Sequence, residues 1–198
     1  MKVPEHRVEP MGDRGLLIRF AAEPSAELTA VLTGTAKAAA RLEGVLDACP
    51  GLTTVLVETE TGRLGELERA VAGLMADVEP VAGSLHEVDT VYDGEDLDWV
   101  CEHLGIDAGT LVARHSEPVY DVRLLGSPGF VYLSDVAPGI AVPRLDEPRR
   151  AVPAGSVGIG GTQTGIYSRP RPGGWRIIAR VPELPQVVPG DRVRFVPR

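Results

Sequence analysis

The sequence predicts a protein of mixed α and β structure, in which a small α+β part is followed by a β-rich part. Up to about Asp89, stretches with strand-like and helix-like patterns alternate. Beyond Val119, short β-rich runs are separated by Gly and Pro, which is typical of an all-β barrel or sandwich. The length of 198 residues allows two small domains. We therefore expect an α+β domain over residues 1–82 and a β domain over residues 83–198, with the composition changing at the segment PVAGS, residues 80–84.

The N-terminal part begins with two strands and a helix. Residues 6–9 and 15–20 flank a polar Gly/Asp turn at residues 12–14, which favours a β-hairpin. Ser25 is a preferred N-cap residue, and apolar residues at helical spacing follow it until Gly44, a natural helix stop.

A second pair of strands and a second helix follow. Residues 45–48 and 53–58 flank Pro50-Gly51, and apolar residues from Leu64 to Met75 recur at the spacing of an amphipathic helix. The order strand, strand, helix, strand, strand, helix predicts an antiparallel sheet with helices on one face.

The second half of the chain begins with one strand and two short helices. Residues 86–92 have a strand pattern, residues 96–104 predict a helix ended by Gly105, and Asp107 begins another helix that contains residues 111–115. The β-rich runs that follow are residues 119–125, 157–159, 165–167, 175–180 and 192–196.

The chain is acidic, with 28 Asp and Glu against 20 Lys and Arg and a formal net charge of -8. An acidic chain repels phosphate backbones, which argues against nucleic-acid and anionic-membrane partners. No apolar run approaches the ~20 residues of a transmembrane helix, and the N-terminus lacks the apolar core of a signal peptide. We therefore expect a cytoplasmic protein that binds neither nucleic acid nor membranes.

Cysteine and lysine usage limits the available chemistry. Cys49 and Cys101 lie far apart in sequence and form no Cys-x-x-Cys pair, so we expect buried or half-buried thiols. A catalytic thiol stays open as an alternative, because a nucleophilic Cys needs only a His beside it in the fold. Lys2 and Lys37 are the only lysines, which leaves a lysine-centred mechanism almost no candidates.

A series of ordered motifs covers much of the chain. These are GDRGLLIRF at residues 12–20, ARHS at 113–116, PGFVYL at 128–133, VPAGSVGI at 152–159, GTQTGIY at 161–167, PGGW at 172–175 and PGDRVRFVP at 189–197. The series resembles the family of the 5-oxoprolinase B subunit, also called kinase A inhibitor or allophanate hydrolase subunit 1, with a carboxyltransferase domain of the C/D type.

This resemblance implies both a fold and a set of partners. The family's fold is a small α+β domain followed by a cyclophilin-like β-barrel. Its members act with a homologous C subunit, which is similar to allophanate hydrolase subunit 2, and with an A subunit. Together the three hydrolyse 5-oxoproline to glutamate with ATP, so we expect a small cyclic-amide substrate and ATP bound with the help of the partner chains.

The sequence departs from the family pattern in loops. Val131 stands where the family has Pro, the segment before it is one residue short, and the segment VYDGED at residues 91–96 is also shorter than in the family. Loop shape tunes ligand fit, so these departures concern the substrate more than the fold.

The segment GIGGTQTGIY contains the first candidate site residues. Gly161 allows close approach of a ligand, while the Gln163 amide and the Thr164 hydroxyl offer the donors and acceptors that an amide or carboxylate needs. The alternative is a bulged hairpin with polar turn residues. No Gly-Lys-Ser/Thr follows, so the segment is not a P-loop.

Three arginines form a basic cluster in a Pro-rich loop. Arg144, Arg149 and Arg150 can bind a carboxylate or phosphate through their guanidinium groups. The alternative is a set of surface salt bridges with Asp146 and Glu147. Arg149, in the pair Pro148-Arg149 that precedes VPAGSVGI in the family pattern, matches directly, and the resemblance favours it as a catalytic residue, with Arg144 and Arg150 binding substrate.

His115, in the ARHS motif, is the second catalytic candidate, because a His at a helix end can act as acid or base near neutral pH. The alternative is a helix C-terminal residue that satisfies backbone carbonyls. Among the few aromatic residues, most of Phe130, Tyr132, Tyr167 and Trp175 are expected in the barrel core and one or two on a pocket wall, with Phe130 and Tyr167 as the candidates for substrate contact. The histidines show no metal-site spacing, so we predict no metal.

Three functions follow. The first is the B subunit of an ATP-dependent 5-oxoprolinase-type amide hydrolase, since the sequence lacks a complete catalytic set of its own. The second is an inhibitor of a sensor histidine kinase, which the family also contains. The third is a protein that accompanies urea carboxylase or allophanate hydrolase as one of their subunits.

Overall fold

The protein is mostly sheet, with helices packed against it, as the sequence predicts. The computed structural model describes residues 3–60, 62–75, 78–126 and 129–198. The chain divides into two compact units, Met1–Gly83 and Ser84–Arg198. Ser127 and Pro128, at the start of the expected PGF motif, lie outside the described residues.

The first unit contains a four-stranded antiparallel sheet in the order β1-β2-β4-β3. Its strands are β1 (His6–Met11), β2 (Gly15–Phe20), β3 (Val45–Pro50) and β4 (Thr54–Thr59). The two hairpins predicted from the sequence are therefore confirmed. Each is followed by the predicted helix, α1 (Ala26–Ala39) and α2 (Leu64–Leu74).

The two helices cover one face of this sheet. Ser25 caps α1, because its hydroxyl oxygen accepts a hydrogen bond of 3.1 Å from the backbone N–H of Leu28. The alternation of β2 and β4 directs one set of side chains into the core, where the apolar side of each helix meets them. The main members of this core are Leu16, Ile18, Leu32, Val55, Val57 and Val71.

The second unit is built on a seven-stranded sheet in the order β12-β9-β10-β7-β6-β13-β5. Its strands are β5 (Leu85–Thr90), β6 (Tyr120–Gly126), β7 (Phe130–Asp135), β9 (Ser156–Gly160), β10 (Gln163–Tyr167), β12 (Arg176–Arg180) and β13 (Arg192–Pro197). Strands β5 and β13 run parallel, whereas the other neighbours are antiparallel.

The two edges of this sheet meet. Val91, directly after β5, exchanges two backbone hydrogen bonds of 2.9 Å with Arg180 of β12. Further along, the N–H groups of Gly94 and Asp96 donate to the carbonyl oxygens of Ile178 and Ile177 at 3.1 and 2.9 Å. The sheet therefore curls until the segment after β5 continues it along β12.

Two helices pack against the curled sheet. Helix α3 (Leu97–Leu104) lies against β12, and α4 (Ala108–Ser116) lies against β13. Gly105 ends α3 in the left-handed conformation, and the Asp107 carboxylate caps α4 by accepting from the Thr110 N–H at 2.7 Å. Both ends agree with the sequence prediction. No helix among the described residues has the length and apolar character needed to cross a membrane.

A two-stranded sheet completes the second unit. Strands β8 (Arg149–Val152) and β11 (Arg171–Gly173) pair with each other. The sequence analysis predicts neither strand, and it also leaves β7 without a strand prediction.

The prediction of buried or half-buried thiols is wrong for Cys49, which is exposed, and is confirmed for Cys101, which is half-buried.

The turn before β9 gives a test of backbone geometry. Gly155 has φ +85°, and a Cβ there would lie 2.6 Å from the Val181 carbonyl oxygen, whereas Gly105 has φ +65° with no atom within 4 Å. Both Ala substitutions carry the left-handed strain of about 1–2 kcal/mol. We expect Gly155→Ala to lower the free energy of unfolding by at least about twice the loss of Gly105→Ala, measured by urea denaturation. Equal losses would show that the backbone at Val181 moves away without cost.

Candidate functional site

The glycines of the GIGGTQTGIY segment lie on the outer face of the curled sheet. In β9 and β10 the side chains of Val157, Ile159 and Ile166 enter the main core. By the alternation of a strand, Gly158, Gly160 and Gly165 lie on the opposite face. That face is where a residue without a side chain leaves room for another group.

The room is occupied by aromatic rings of the same chain. A Cβ on Gly160 would lie 2.8 Å from Cδ2 of Trp175, and a Cβ on Gly165 would lie 2.5 Å from Cε1 of Phe130. The Phe130 ring stands edge-on to Tyr167 with centroids 4.7 Å apart and lies 4.8 Å from Trp175. The sequence analysis expects a ligand to approach closely at Gly161, where a Cβ would meet no atom within 4 Å, whereas the rings approach Gly160 and Gly165 and belong to the protein itself.

Phe130 and Tyr167 thus belong to a buried aromatic cluster. Both are almost fully buried, and burial raises the pKa of the Tyr167 phenol. Trp175 packs against Phe130 and lies over Gly160, so Phe130 supports the Trp175 ring, and Tyr167 in turn packs against Phe130. Their predicted substrate contact stays a prediction.

Polar side chains surround the Trp175 ring. The Arg144 guanidinium carbon lies 5.2 Å from the ring centroid, in a cation–π contact. Gln163 pairs across the strands with Gly160, on which Trp175 lies, and Tyr132 stands edge-on to Trp175 at 5.9 Å. We call Arg144, Gln163, Tyr132 and Trp175 the Trp175 rim.

The rim has unused hydrogen-bonding groups. Arg144 is exposed and forms no ion pair within the described part of the chain. Neither Asp146 nor Glu147, both described, pairs with the cluster of arginines, so the salt bridges considered as an alternative do not form. A guanidinium beside an amide and an aromatic face can bind a small acid that also contains an amide.

The hairpin that carries Gln163 is held on two sides. Gly161, with φ +68°, forms two backbone hydrogen bonds with Val142, of 2.8 and 3.2 Å. The Thr162 hydroxyl donates to Asp135 at 2.6 Å. Gly161 therefore serves the turn and brings the segment that contains Arg144 next to the hairpin.

Arg149 is placed differently from Arg144. Its Nη2 donates to both carboxylate oxygens of Asp96 at 2.9 Å, its Nε lies 2.7 Å from Glu95 Oε1, and its Nη1 donates to the Trp175 carbonyl at 3.3 Å. Asp96 is nearly buried and also accepts from the Ile177 N–H at 2.6 Å. The guanidinium of Arg149 is thus engaged by acceptors of its own chain, and its predicted catalytic role stays a prediction.

Arg150 lies in a separate, open cleft of about 720 Å³. The cleft also contains Arg149 and Arg180, and both are paired with carboxylates, Arg180 with Asp93 at 3.0 Å. Arg150 itself is exposed and has no ion pair in the described residues. The structure therefore does not bring Arg150 to the Trp175 rim by any contact.

His115 and Thr164 lie in the main core instead of on a rim. Both are 0% exposed. The Thr164 hydroxyl donates to the Gly158 carbonyl at 3.0 Å, so it accepts from Nε2–H of His115 at 2.9 Å. Nδ1 of His115 then accepts from the Tyr92 hydroxyl at 2.8 Å.

Burial keeps the His115 ring neutral. Desolvation lowers the pKa of His115 to about 3 and raises the pKa of the Tyr92 phenol. The ring also stacks on Phe195 with centroids 4.7 Å apart. An acid–base role in contact with substrate is a prediction that this placement does not favour.

The sequence analysis missed several residues that the structure makes important. Asp96 was predicted only to start a helix. Its pairing with Arg149 was missed, because a lone Asp before a helix and an Arg in a distant loop give no sequence signal that they pair. Tyr132 was expected only in the barrel core or on a pocket wall and was not named as a site residue. Among the described residues, no group of three or more His, Cys, Asp or Glu side chains could hold a metal ion.

The buried His115 predicts acid sensitivity. Its pKa is about 3 in the folded chain and about 6.5 when unfolded. Its contribution to stability is therefore complete above about pH 6.5 and is lost as the pH falls towards 3. We expect His115 to account for about 2–3 kcal/mol of the decrease in unfolding free energy between pH 7 and 4.5.

This decrease can be measured by urea denaturation at several pH values. His115→Gln is less stable at pH 7 but should lose less stability on acidification, because Gln takes up no proton. His103→Gln, at an exposed ring stacked on Trp99, is the control. An unchanged pH profile in His115→Gln would contradict the assignment.

The Arg149–Asp96 pair predicts a loss of stability in Arg149→Met. The substitution leaves a nearly buried carboxylate with the Ile177 N–H and the more distant Arg176, at 3.6 Å. We expect the free energy of unfolding to fall by about 3 kcal/mol. Adding Asp96→Asn removes the uncompensated charge and should recover part of the loss, so strictly additive losses would count against the pair.

Comparisons with known proteins agree with the motifs. The chain is 38% identical over 175 residues to a protein named as the B subunit of 5-oxoprolinase from Escherichia coli O157:H7, covering 79% of this chain and 80% of that protein. It is 30% identical over 225 residues to the protein of the same name from Bacillus subtilis strain 168, covering 96% and 92%.

Solved structures share the fold. The crystal structure of TTHA0988 superposes with a TM-score of 0.82 at 35% identity over 93% of this chain. The chain spans only 40% of the length of that protein. The crystal structure of Kluyveromyces lactis urea carboxylase has a TM-score of 0.73 at 17% identity, covering 98% of this chain and 22% of that protein, which shows likeness of fold alone.

The model of one protein family, the carboxyltransferase domain, subdomain C and D, matches residues 6–184. This match extends over most of the chain, and the two curated relatives confirm the resemblance drawn from the motifs. The chain therefore belongs to the carboxyltransferase domain family, subdomains C and D, together with the proteins named as 5-oxoprolinase B subunits.

Proposed function

We propose that this chain is the B subunit of an ATP-dependent 5-oxoprolinase, which converts 5-oxoproline, ATP and water to glutamate, ADP and phosphate. The relatives named as 5-oxoprolinase B subunits support the proposal. The observation that carries it in the structure is the Trp175 rim, where Arg144, without an ion pair in the described residues, lies over the Trp175 ring, and Gln163 pairs across the strands with Gly160 below that ring.

The rim matches the two functional groups of 5-oxoproline. The carboxylate of the substrate pairs with the Arg144 guanidinium, whose planar fork suits two oxygen atoms. The Gln163 amide donates to the lactam carbonyl and accepts from the lactam N–H. Trp175 supports the arginine from one side and offers an apolar face to the ring of the substrate.

The site needs groups from other polypeptides. The buried His115 has no access to solvent, and the carboxylate opposite Gln163, that of Asp135, already accepts a hydrogen bond from Thr162. We propose that a homologous C subunit and an A subunit supply the missing groups and close the rim. The Gly- and Pro-rich loops of this face suit such pairing.

The open cleft that contains Arg149 and Arg150 offers a nucleotide little unpaired positive charge. Of the three arginines in the open cleft, Arg149 and Arg180 are paired with carboxylates, which leaves Arg150 alone to meet a phosphate. We therefore assign no step through ATP to this chain and propose that ATP binds mainly to the partner chains.

We further propose a domain division at residues 1–82 and 83–198, with the curled sheet as a cyclophilin-like barrel. The two compact units, Met1–Gly83 and Ser84–Arg198, support this division, and the bridge between Val91 and Arg180 supports the barrel, because it joins the two ends of the sheet. The urea-linked alternative is supported by likeness of fold only, and the kinase-inhibitor alternative by no feature of the described residues.

Reconstitution tests the proposed function. The purified chain is mixed with its C and A partners, and release of glutamate from 5-oxoproline is measured with ATP. Activity that requires all three chains is the expected result. A complete mixture that assembles but releases no glutamate would refute the assignment.

Arg144→Met tests the rim within the same assay. Loss of a charged, bidentate contact should lower kcat/KM for 5-oxoproline roughly 10- to 100-fold. The free energy of unfolding should change by less than about 0.5 kcal/mol, because Arg144 is exposed. Arg169→Met, at another exposed arginine outside the rim, is the matched control, and equal effects of both substitutions would contradict a specific role for Arg144.

A further inference from the structure

Arg123 of β6 points to the same outer face as the Trp175 rim. Tyr120 and Val122 are fully buried in the main core, so Asp121 between them lies on the other face. Arg123 lies on the face of Asp121, because its Nη2 is 3.6 Å from Asp121 Oδ2.

A β-bulge directs the Arg123 side chain. Val122 pairs with Leu133 and Leu124 pairs with Tyr132, so Arg123 is an extra residue without its own partner on β7. A bulge of this kind turns a side chain to a new direction and is common beside functional sites. Tyr132, opposite the bulge, is itself a member of the Trp175 rim.

The Arg123 guanidinium lacks acceptors. Its Nε and Nη1 are buried and have no hydrogen-bond partner, and they are the only buried side-chain atoms of this kind in the described part of the chain. An arginine keeps its charge in a protein, so it cannot escape this cost by losing a proton. Leaving a buried charged donor unpaired is strongly unfavourable.

The cost is unusual in a chain whose other buried charges are well paired. Asp96 and Asp191 are both nearly buried, and each accepts hydrogen bonds from several donors. Arg123, in contrast, has a distant partner, and its side chain keeps an exposed fraction of 13%. Rotation about its side-chain torsions can therefore turn the unpaired N–H groups towards an incoming group.

We propose that Arg123 is a receptor for a carboxylate, on the β6–β7 side of the aromatic cluster. A carboxylate supplies two oxygen acceptors in the plane of the guanidinium fork and compensates its charge. It comes from a free small acid or from an Asp or Glu side chain of a partner protein in the complex. The proposal goes beyond the proposed function and holds for any carboxylate, whether or not 5-oxoproline is the substrate.

Arg123→Met tests the proposal in two measurements. Removing an uncompensated charge should raise the thermal unfolding temperature of the isolated chain by about 2–4 °C. It should also weaken carboxylate binding roughly 10- to 100-fold. Acetate and 5-oxoproline are the small-acid probes, titrated against the 15N NMR signal of the Arg123 Nε–H, and the affinity for the purified C partner is measured separately.

The two sources of carboxylate give different results. A free acid shifts the Arg123 Nε–H signal in the isolated chain, and Arg123→Met removes the binding. A partner side chain leaves that signal unchanged with both probes, while Arg123→Met weakens assembly with the C partner. Arg123→Lys keeps the charge without the fork and should restore only part of either effect, which also covers the case of a poorly folded Met variant.

Arg194→Met is the matched control. Arg194 lies on neighbouring β13, is exposed and pairs with Glu87 at 3.2 Å, so its loss should change neither the unfolding temperature nor binding. The proposal is overturned if Arg123→Met lowers the unfolding temperature while binding of both acids and assembly with the C partner stay unchanged. That result would assign Arg123 to a structural role, satisfied by an internal water molecule.

Discussion

The second unit depends on one nearly buried carboxylate, that of Asp96. It accepts from the Ile177 backbone N–H of β12 and from the Arg149 guanidinium of β8. These contacts join the segment after β5 to the opposite edge of the curled sheet, where Gly94 passes close to the backbone of Ile177. A charge at this depth is tolerated only because its acceptor sites are filled. Arg149 belongs to a family motif, and the same interaction explains why its guanidinium is directed towards Asp96.

The outer face of the curled sheet is shaped by a fit between glycines and rings. Trp175 and Phe130 lie directly on Gly160 and Gly165, and a Cβ at either position would clash with these rings. Large aromatic rings packed on these glycines form a rigid layer at a low cost in conformational entropy, since an aromatic side chain has few torsions to fix. Arg144 lies over the Trp175 ring of this layer, and Gln163 pairs with Gly160 beneath that ring. The polar rim is thus a consequence of packing that the strand glycines allow.

The buried chain from Tyr92 through His115 to Thr164 has the opposite character. Every member is satisfied by its neighbour, and the last hydroxyl donates to a backbone carbonyl. Such a closed network gives the core one defined arrangement. It leaves His115 inaccessible as a base, which supports our proposal that other polypeptides complete a site at the Trp175 rim. The hydrogen bonding of Arg123 is also incomplete, because its Nε and Nη1 have no partner.

Local patterns determined most of the elements of this protein. The Ser25 cap, the left-handed Gly105 and the apolar spacing of the helices depend on a few neighbouring residues, so the sequence alone predicts them correctly. The motifs likewise identified the family. The parallel pairing of β5 with β13, the strands β8 and β11, and the pairing of Asp96 with Arg149 join residues that are distant in sequence, and no local pattern contains them.

The candidate site shows the same limit. Arg144, Gly161 and Gln163 were predicted from residue type and lie together around one hairpin, whereas His115 and Thr164 are in the core and Arg150 lies in a separate cleft. The chemistry of a residue determines what its side chain can bind. How deeply that side chain is buried depends on strand alternation, bulges and the packing of rings. The sequence therefore determined which groups are available, and only the tertiary structure decided which of them remain unpaired and exposed, because burial is a property of the whole fold.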